Sequence, residues 1–114
     1  MHMAKREFVV SPVARDALVV LGQRVKIARI ERGWTVADVA SRSLTSTPTI
    51  RNIEAGAPGT AIGTVFQVAY LLGVPLFGIE DPAEMARLRR QGEDTLALLP
   101  ARVRPREIDI DDDF

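Results

Sequence analysis

Apolar residues recur along this chain at spacings of three and four, and nowhere does an alternating pattern hold long enough to build a sheet. Ser11-Pro12 opens the first run, a hydroxyl able to cap a helix followed by a proline whose missing N–H costs nothing at that position. Leu18, Leu21, Val25 and Ala28 then mark one face of a long helix that Gly33 should end. Val13, Val19, Val20, Ile27 and Ile30 widen this stripe beyond one face. Two readings fit them: burial on both sides within the monomer, or a partner contact near Val13 to Val20.

Two short helices are expected next. Thr35 is placed to cap one that turns Val36, Val39 and Ala40 inward, and Ser46 to cap another that turns Ile50 and Ile53 inward. Both are too short to stand without tertiary support. Thr60 or Thr64 opens a fourth helix in which Ile62, Val65, Phe66, Val68, Ala69, Leu71 and Leu72 are nearly all apolar, with Gly73 as its stop. That composition predicts the central helix. Gly73 to Ile79 is apolar and rich in breakers, which leaves a short strand, a helical turn and an exposed association surface open. Asp81-Pro-Ala-Glu84 has the acid, proline and glutamate of a helix start, and the polar helix behind it is expected to run to about Gln91. Beyond Gly92 the pattern fades, and Pro100, Pro105 and the alternation from Glu107 to Phe114 suggest a flexible acidic tail.

Composition narrows what this helical chain can do. Its 114 residues suit one soluble domain with an appended element, and a cytoplasmic location is expected because no apolar run nears the roughly 20 residues of a bilayer span. Cysteine is absent and His2 is the lone histidine, within a Met1-His2-Met3 start that reads as an expression remnant. No thiol nucleophile, glycine-rich phosphate loop or metal-ligand spacing is present, so catalytic residues, metal sites and cofactors are all expected to be none. The zero net charge hides an asymmetry. Through residue 79 there are nine lysines and arginines against five acids, and from Glu80 onward six against ten. The picture is a mildly basic body with an acidic end.

The third helix carries the chemistry. At roughly 100° per residue, Thr47, Pro48, Arg51, Asn52 and Ala55 fall within one arc of about 140°, opposite Thr49, Ile50 and Ile53. A major groove admits one α-helix, which reads base edges from its N-terminal turns. Arg51 suits guanine O6 and N7, and the methyl of Thr47 and ring of Pro48 suit thymine methyls. Ser46 and the backbone N–H groups that open the second and third helices suit phosphates. The alternative is a set of capping and solvated surface residues.

From Leu21 to Ile79 the pattern Val25, Ala28-Arg29, Arg32-Gly33, Thr35, Val39-Ala40, Ser46, Thr49-Ile50, Ile53-Glu54, Gly56, Ile62, Thr64, Ala69 and Leu72-Gly73-Val74 resembles the lambda-repressor-like, Cro-type helix-turn-helix family. The resemblance implies an all-α fold: a five-helix lambda-repressor-like domain with an additional C-terminal helix and a flexible acidic tail. It divides the chain into an extension over 1–11, the DNA-binding domain over 12–80, a helix and linker over 81–100 and the tail over 101–114. It implies DNA contacts from Thr35, Val36, Ser46, Thr47, Pro48, Arg51 and Asn52, and a structural pair between Arg29 and Glu54. Double-stranded DNA with an inverted-repeat operator and a homodimer are the implied partners, with Val74, Leu76, Phe77 and Ile79 as the candidate contact surface. No membrane partner is expected.

Three departures bear on this reading. Leu44 stands where relatives have a turn glycine, so the turn must tolerate a branched side chain or shift. Val36 replaces a frequent glutamine, and Ala57-Pro58-Gly59-Thr60 lacks the cations that relatives place beside the backbone. More narrowly, Ser46 to Glu54, Ile62-Gly-Thr64, Leu72-Gly73 and the closing Asp111-Asp-Asp-Phe114 are similar to antitoxins paired with kinase toxins of the HipA type. That similarity implies autoregulation of an operon, a HipA-like kinase partner and a tail anchored through Phe114. A stand-alone phage-type or metabolic repressor, and a protein-binding adaptor on the same scaffold, are the alternatives.

Overall fold

A computed structural model describes residues 9–103 and 105. Among them the chain is all-helical: α1 (Pro12–Glu31), α2 (Val36–Arg42), α3 (Thr47–Glu54), α4 (Ile62–Leu71) and α5 (Pro82–Ala97), the C-terminal helix included. The chain forms two compact units, Met1–Glu80 and Asp81–Phe114.

Each helix start is explained by its capping residue. Ser11 accepts from the Ala14 N–H at 3.2 Å, and Ser46 from the Thr49 N–H at 3.3 Å. Thr35 does more. Its hydroxyl accepts from the Asp38 N–H at 3.0 Å while the Asp38 carboxylate accepts from the Thr35 N–H at 2.8 Å, so two orphan donors are satisfied reciprocally. Neither Thr60 nor Thr64 opens α4. Ala61 holds the cap position without a side-chain bond, and Thr64 lies inside the first turn.

The four helix ends of the first unit share one closure. After α1, Gly33 takes φ +72° and the Trp34 N–H reaches back to the Arg29 carbonyl at 3.1 Å. The same bond runs from Thr45 to Ala40 after α2, from Ala57 to Asn52 after α3 and from Val74 to Ala69 after α4. Glycine occupies the left-handed position in three of these. Leu44 occupies the fourth, at φ +58°, and its side chain is 94% exposed. The turn therefore neither shifts nor avoids the strain: the hydrogen bonds that end α2 hold a leucine in a conformation costing about 1–2 kcal/mol.

The core is built from Val25, Val39, Ala40, Ile50, Ile53, Val68, Ala69, Leu72 and Val74, with Leu21, Ala28, Trp34, Val36 and Val65 packed against it. Two expectations are corrected. Ile62 points outward at 69% exposure, because at the first helical position it precedes the face that Val65, Val68 and Ala69 direct inward. The widened stripe of α1 is not buried on two sides: Val13, Val20, Ile27 and Ile30 are all solvent-exposed.

Gly73 to Ile79 resolves into a tight turn. The Ile79 N–H donates to the Leu76 carbonyl at 3.0 Å, the two residues form an isolated bridge, and Phe77 and Gly78 both have positive φ, the signature of a primed turn. Val74 is only 7% exposed and belongs to the core, which removes it from the candidate contact surface. Phe77 is 74% exposed and meets Phe66 edge-to-face at 6.1 Å.

In the second unit, α5 begins where Asp81 caps it, accepting from the Ala83 N–H at 2.9 Å. It passes the expected end near Gln91 and continues to Ala97. Gly92 weakens a helix by about 1 kcal/mol relative to alanine without breaking it, and Arg89–Glu93, with the Thr95 hydroxyl donating to the Gln91 carbonyl, spans the weak point. Residues 106–114, with Phe114 and the acidic alternation, lie outside the described residues.

Candidate nucleic-acid interface

The geometry of the interface follows from how α3 is held. Eight residues form too short a helix to persist alone. Ile50 and Ile53 anchor its inner side in the core, and α3 packs on both α1 and α2. The approach to α1 is at backbone level. A β-carbon on Gly22 would sit 2.4 Å from the Ile53 carbonyl oxygen, and one on Gly56 would sit 3.0 Å from the Val19 backbone. Only glycines permit that contact. Gly22 has no mark in the amphipathic pattern beyond being an isolated glycine inside a helical run, where it costs about 1 kcal/mol relative to alanine.

A part-buried ion pair locks the C-terminal end of α3 to α1. Arg29 Nε donates to Glu54 Oε2 at 2.6 Å and Nη2 to Oε1 at 3.2 Å, while Nη1 donates to the Trp34 carbonyl at 2.9 Å. The two side chains are 13% and 8% exposed, so the fork is largely shielded from water. One guanidinium thereby joins α1, α3 and the α1–α2 connection.

Turned the other way, Pro48, Arg51, Asn52 and Ala55 are exposed, and Thr47 is half-buried at the entry of the helix. None of the side chains of Arg51 and Asn52 makes a hydrogen bond or ion pair among the described residues, which leaves their donors available to a ligand. Ser46 is less free: its hydroxyl also bonds the Thr49 hydroxyl at 2.8 Å. At the opening of α2, Thr35 is committed to its capping pair, and Val36 is half-buried against the core. The Asp38 carboxyl is held below its ordinary value of 3.8, first by the Thr35 backbone N–H and hydroxyl and then by Arg42 nearby.

Beside this face lies an open groove of about 300 Å³, lined by Lys26 and Arg29 of α1, Val36 of α2, Arg51 and Glu54 of α3, and Ala55, which caps the end of α3. Around the α1–α2 connection, the Arg42 and Arg32 guanidiniums lie 4.3 and 5.2 Å from the Trp34 ring centroid, within cation–π range. The cap formed by Asp38 was legible as Thr-x-x-acid at a helix start. Sequence spacing held no comparable sign of the Trp34 stack or of Lys26 sharing a groove with α3.

Residues 25–79 match the helix-turn-helix family model. The matched segment covers the last two turns of α1, all of α2 to α4 and the Leu76–Ile79 turn. The matched segment is similar to a helix-turn-helix domain, with α2 and α3 in the positions of its paired helices. No curated protein and no solved structure matches the chain. Among the described residues no helix is long and apolar enough to cross a membrane.

Proposed function

We propose that the protein is a sequence-specific transcriptional repressor that binds an inverted-repeat operator as a homodimer. One observation carries the reading: α3 presents Pro48, Arg51 and Asn52 outward, with no hydrogen-bond or ion-pair partner for the Arg51 and Asn52 side chains among the described residues, on a helix immobilised by Gly22, Ile50, Ile53 and the Arg29–Glu54 pair. A preorganised cationic helix face loses little entropy on entering a major groove. Arg51 reads guanine through its fork, Thr47 and Pro48 pack on thymine methyls, and the backbone N–H groups opening α2 and α3 orient the domain on phosphates.

Phe77, with Leu76 and Ile79 beside it, supplies the dimer contact. The support is its 74% exposure on a turn strained to positive φ. Two α3 helices related by a twofold axis then meet successive major-groove faces about 34–36 Å apart. The finer reading, an antitoxin that holds a HipA-type kinase toxin on its own operator, rests on the Ser46 to Glu54 motif and the closing Asp-Asp-Asp-Phe114.

Binding-site selection from a random duplex pool tests the proposal. The expected product is an inverted repeat, and Arg51→Ala is expected to cost about 1–3 kcal/mol at one base pair per half-site, relaxing preference there with the fold intact. Recovery of no enriched sequence, or an unchanged preference in Arg51→Ala, would sink it. Copurification with the product of an adjacent kinase-like reading frame tests the antitoxin role.

A further inference from the structure

We infer that Lys26, on α1, is a phosphate-binding residue of the same interface, and that the groove between α1 and α3 seats one backbone phosphate of the duplex that α3 reads; the inference rests on that DNA-binding function. The groove brings Lys26 of α1 beside the exposed Arg51 of α3 and Ala55 at the C-terminal end of that helix, with Val36 contributing apolar wall. Its other two charged residues cancel, because Arg29 and Glu54 are spent on each other. Lys26 and Arg51 are both exposed, and neither has an ion-pair partner among the described residues. The net character of the groove is therefore two uncompensated cations against a partly apolar surface, an arrangement that focuses potential on an incoming anion.

The position of the groove selects the anion. A helix in the major groove is walled on both sides by phosphates, and Arg51 faces the bases from that helix. A lysine one helix away, sharing a groove with Arg51, lies at the wall rather than the floor. Lysine also suits a phosphate better than a base pair here, as a point charge on a flexible stem. The loop after α3, Ala57-Pro58-Gly59-Thr60, carries no cation. Lys26 supplies from α1 a backbone contact that this loop lacks.

The test is a salt titration of the full chain on two probes, a duplex recovered by selection from a random pool and a scrambled duplex of the same composition, with Lys26→Gln and Lys26→Arg beside the parent. Lys26→Gln is expected to weaken both duplexes by the same factor and to reduce the slope of log affinity against log salt by about 0.9 per bound chain. Lys26→Arg is expected to restore both. Trp34 fluorescence through urea unfolding checks that the exposed substitution leaves the fold unchanged. A parent that binds duplex with a slope unaltered in Lys26→Gln would overturn the inference while leaving the DNA-binding function standing, and would leave the groove to a carboxylate on a protein partner. A loss confined to the selected duplex would equally overturn it, since a phosphate contact carries no sequence preference. A parent that binds neither duplex at low salt overturns both.

Discussion

α3 and α5 are stable for opposite reasons. The first has only eight residues and no acid in its first turn; it persists because two isoleucines, two glycine contacts and an ion pair fix it to its neighbours. The second has sixteen residues and not one of them is buried. It is carried by local devices: an aspartate cap, a proline at its start, a glutamate in its first turn and an Arg89–Glu93 pair one turn apart. A helix that must meet a ligand at defined angles is positioned by tertiary contacts, and α3 has them.

That contrast can be broken from the α3 side with large effects. Glu54→Gln removes the anion from a guanidinium that is only 13% exposed, and is expected to destabilise the first unit by about 3 kcal/mol because the charge left behind is poorly solvated. The urea midpoint followed through Trp34, the single tryptophan, measures it; an unchanged midpoint would show that α3 is held without the pair. Gly22→Ala is expected to cost about 2 kcal/mol, the overpacking against the Ile53 carbonyl exceeding what alanine adds to helix propensity. It should also weaken DNA binding, since α3 must move away from α1 to admit the methyl.

From the α5 side the effects are local and favourable. Gly92→Ala fills open space and is expected to stabilise that helix by about 1 kcal/mol, read as increased far-ultraviolet helicity with no change in the Trp34 transition. Leu44→Gly sharpens the comparison most finely. Relief of the left-handed leucine, offset by the greater freedom of glycine in the unfolded chain, is expected to stabilise the first unit by about 0.5 kcal/mol. A loss of stability would mean that the exposed side chain contributes a contact in the native state.

Four of the five helix starts were legible because each depends on residues two or three apart: Ser11, Thr35, Ser46 and Asp81 all cap as their local sequence implies. The failures have equally local explanations. Thr60 and Thr64 are good capping residues, but the packing of Val68 and Ala69 sets where α4 begins, and it begins at Ile62. Val74 was read as part of an association surface because it lies in an apolar, breaker-rich stretch. The closure of α4 folds it back into the core, through its N–H to the Ala69 carbonyl at 2.8 Å.

Periodicity and capping residues, properties of neighbours along the chain, determined the number of helices, the starts of all but α4, and the outward face of Pro48, Arg51 and Asn52. The tertiary structure decided which apolar surplus stays exposed on α1, that Leu44 accepts the conformation of a glycine, and that Lys26 shares a groove with Arg51. Lys26 and Arg51 are 25 positions apart and Gly22 and Ile53 are 31 apart, separations at which the path of the backbone sets the distance and residue type along the chain carries no record of it.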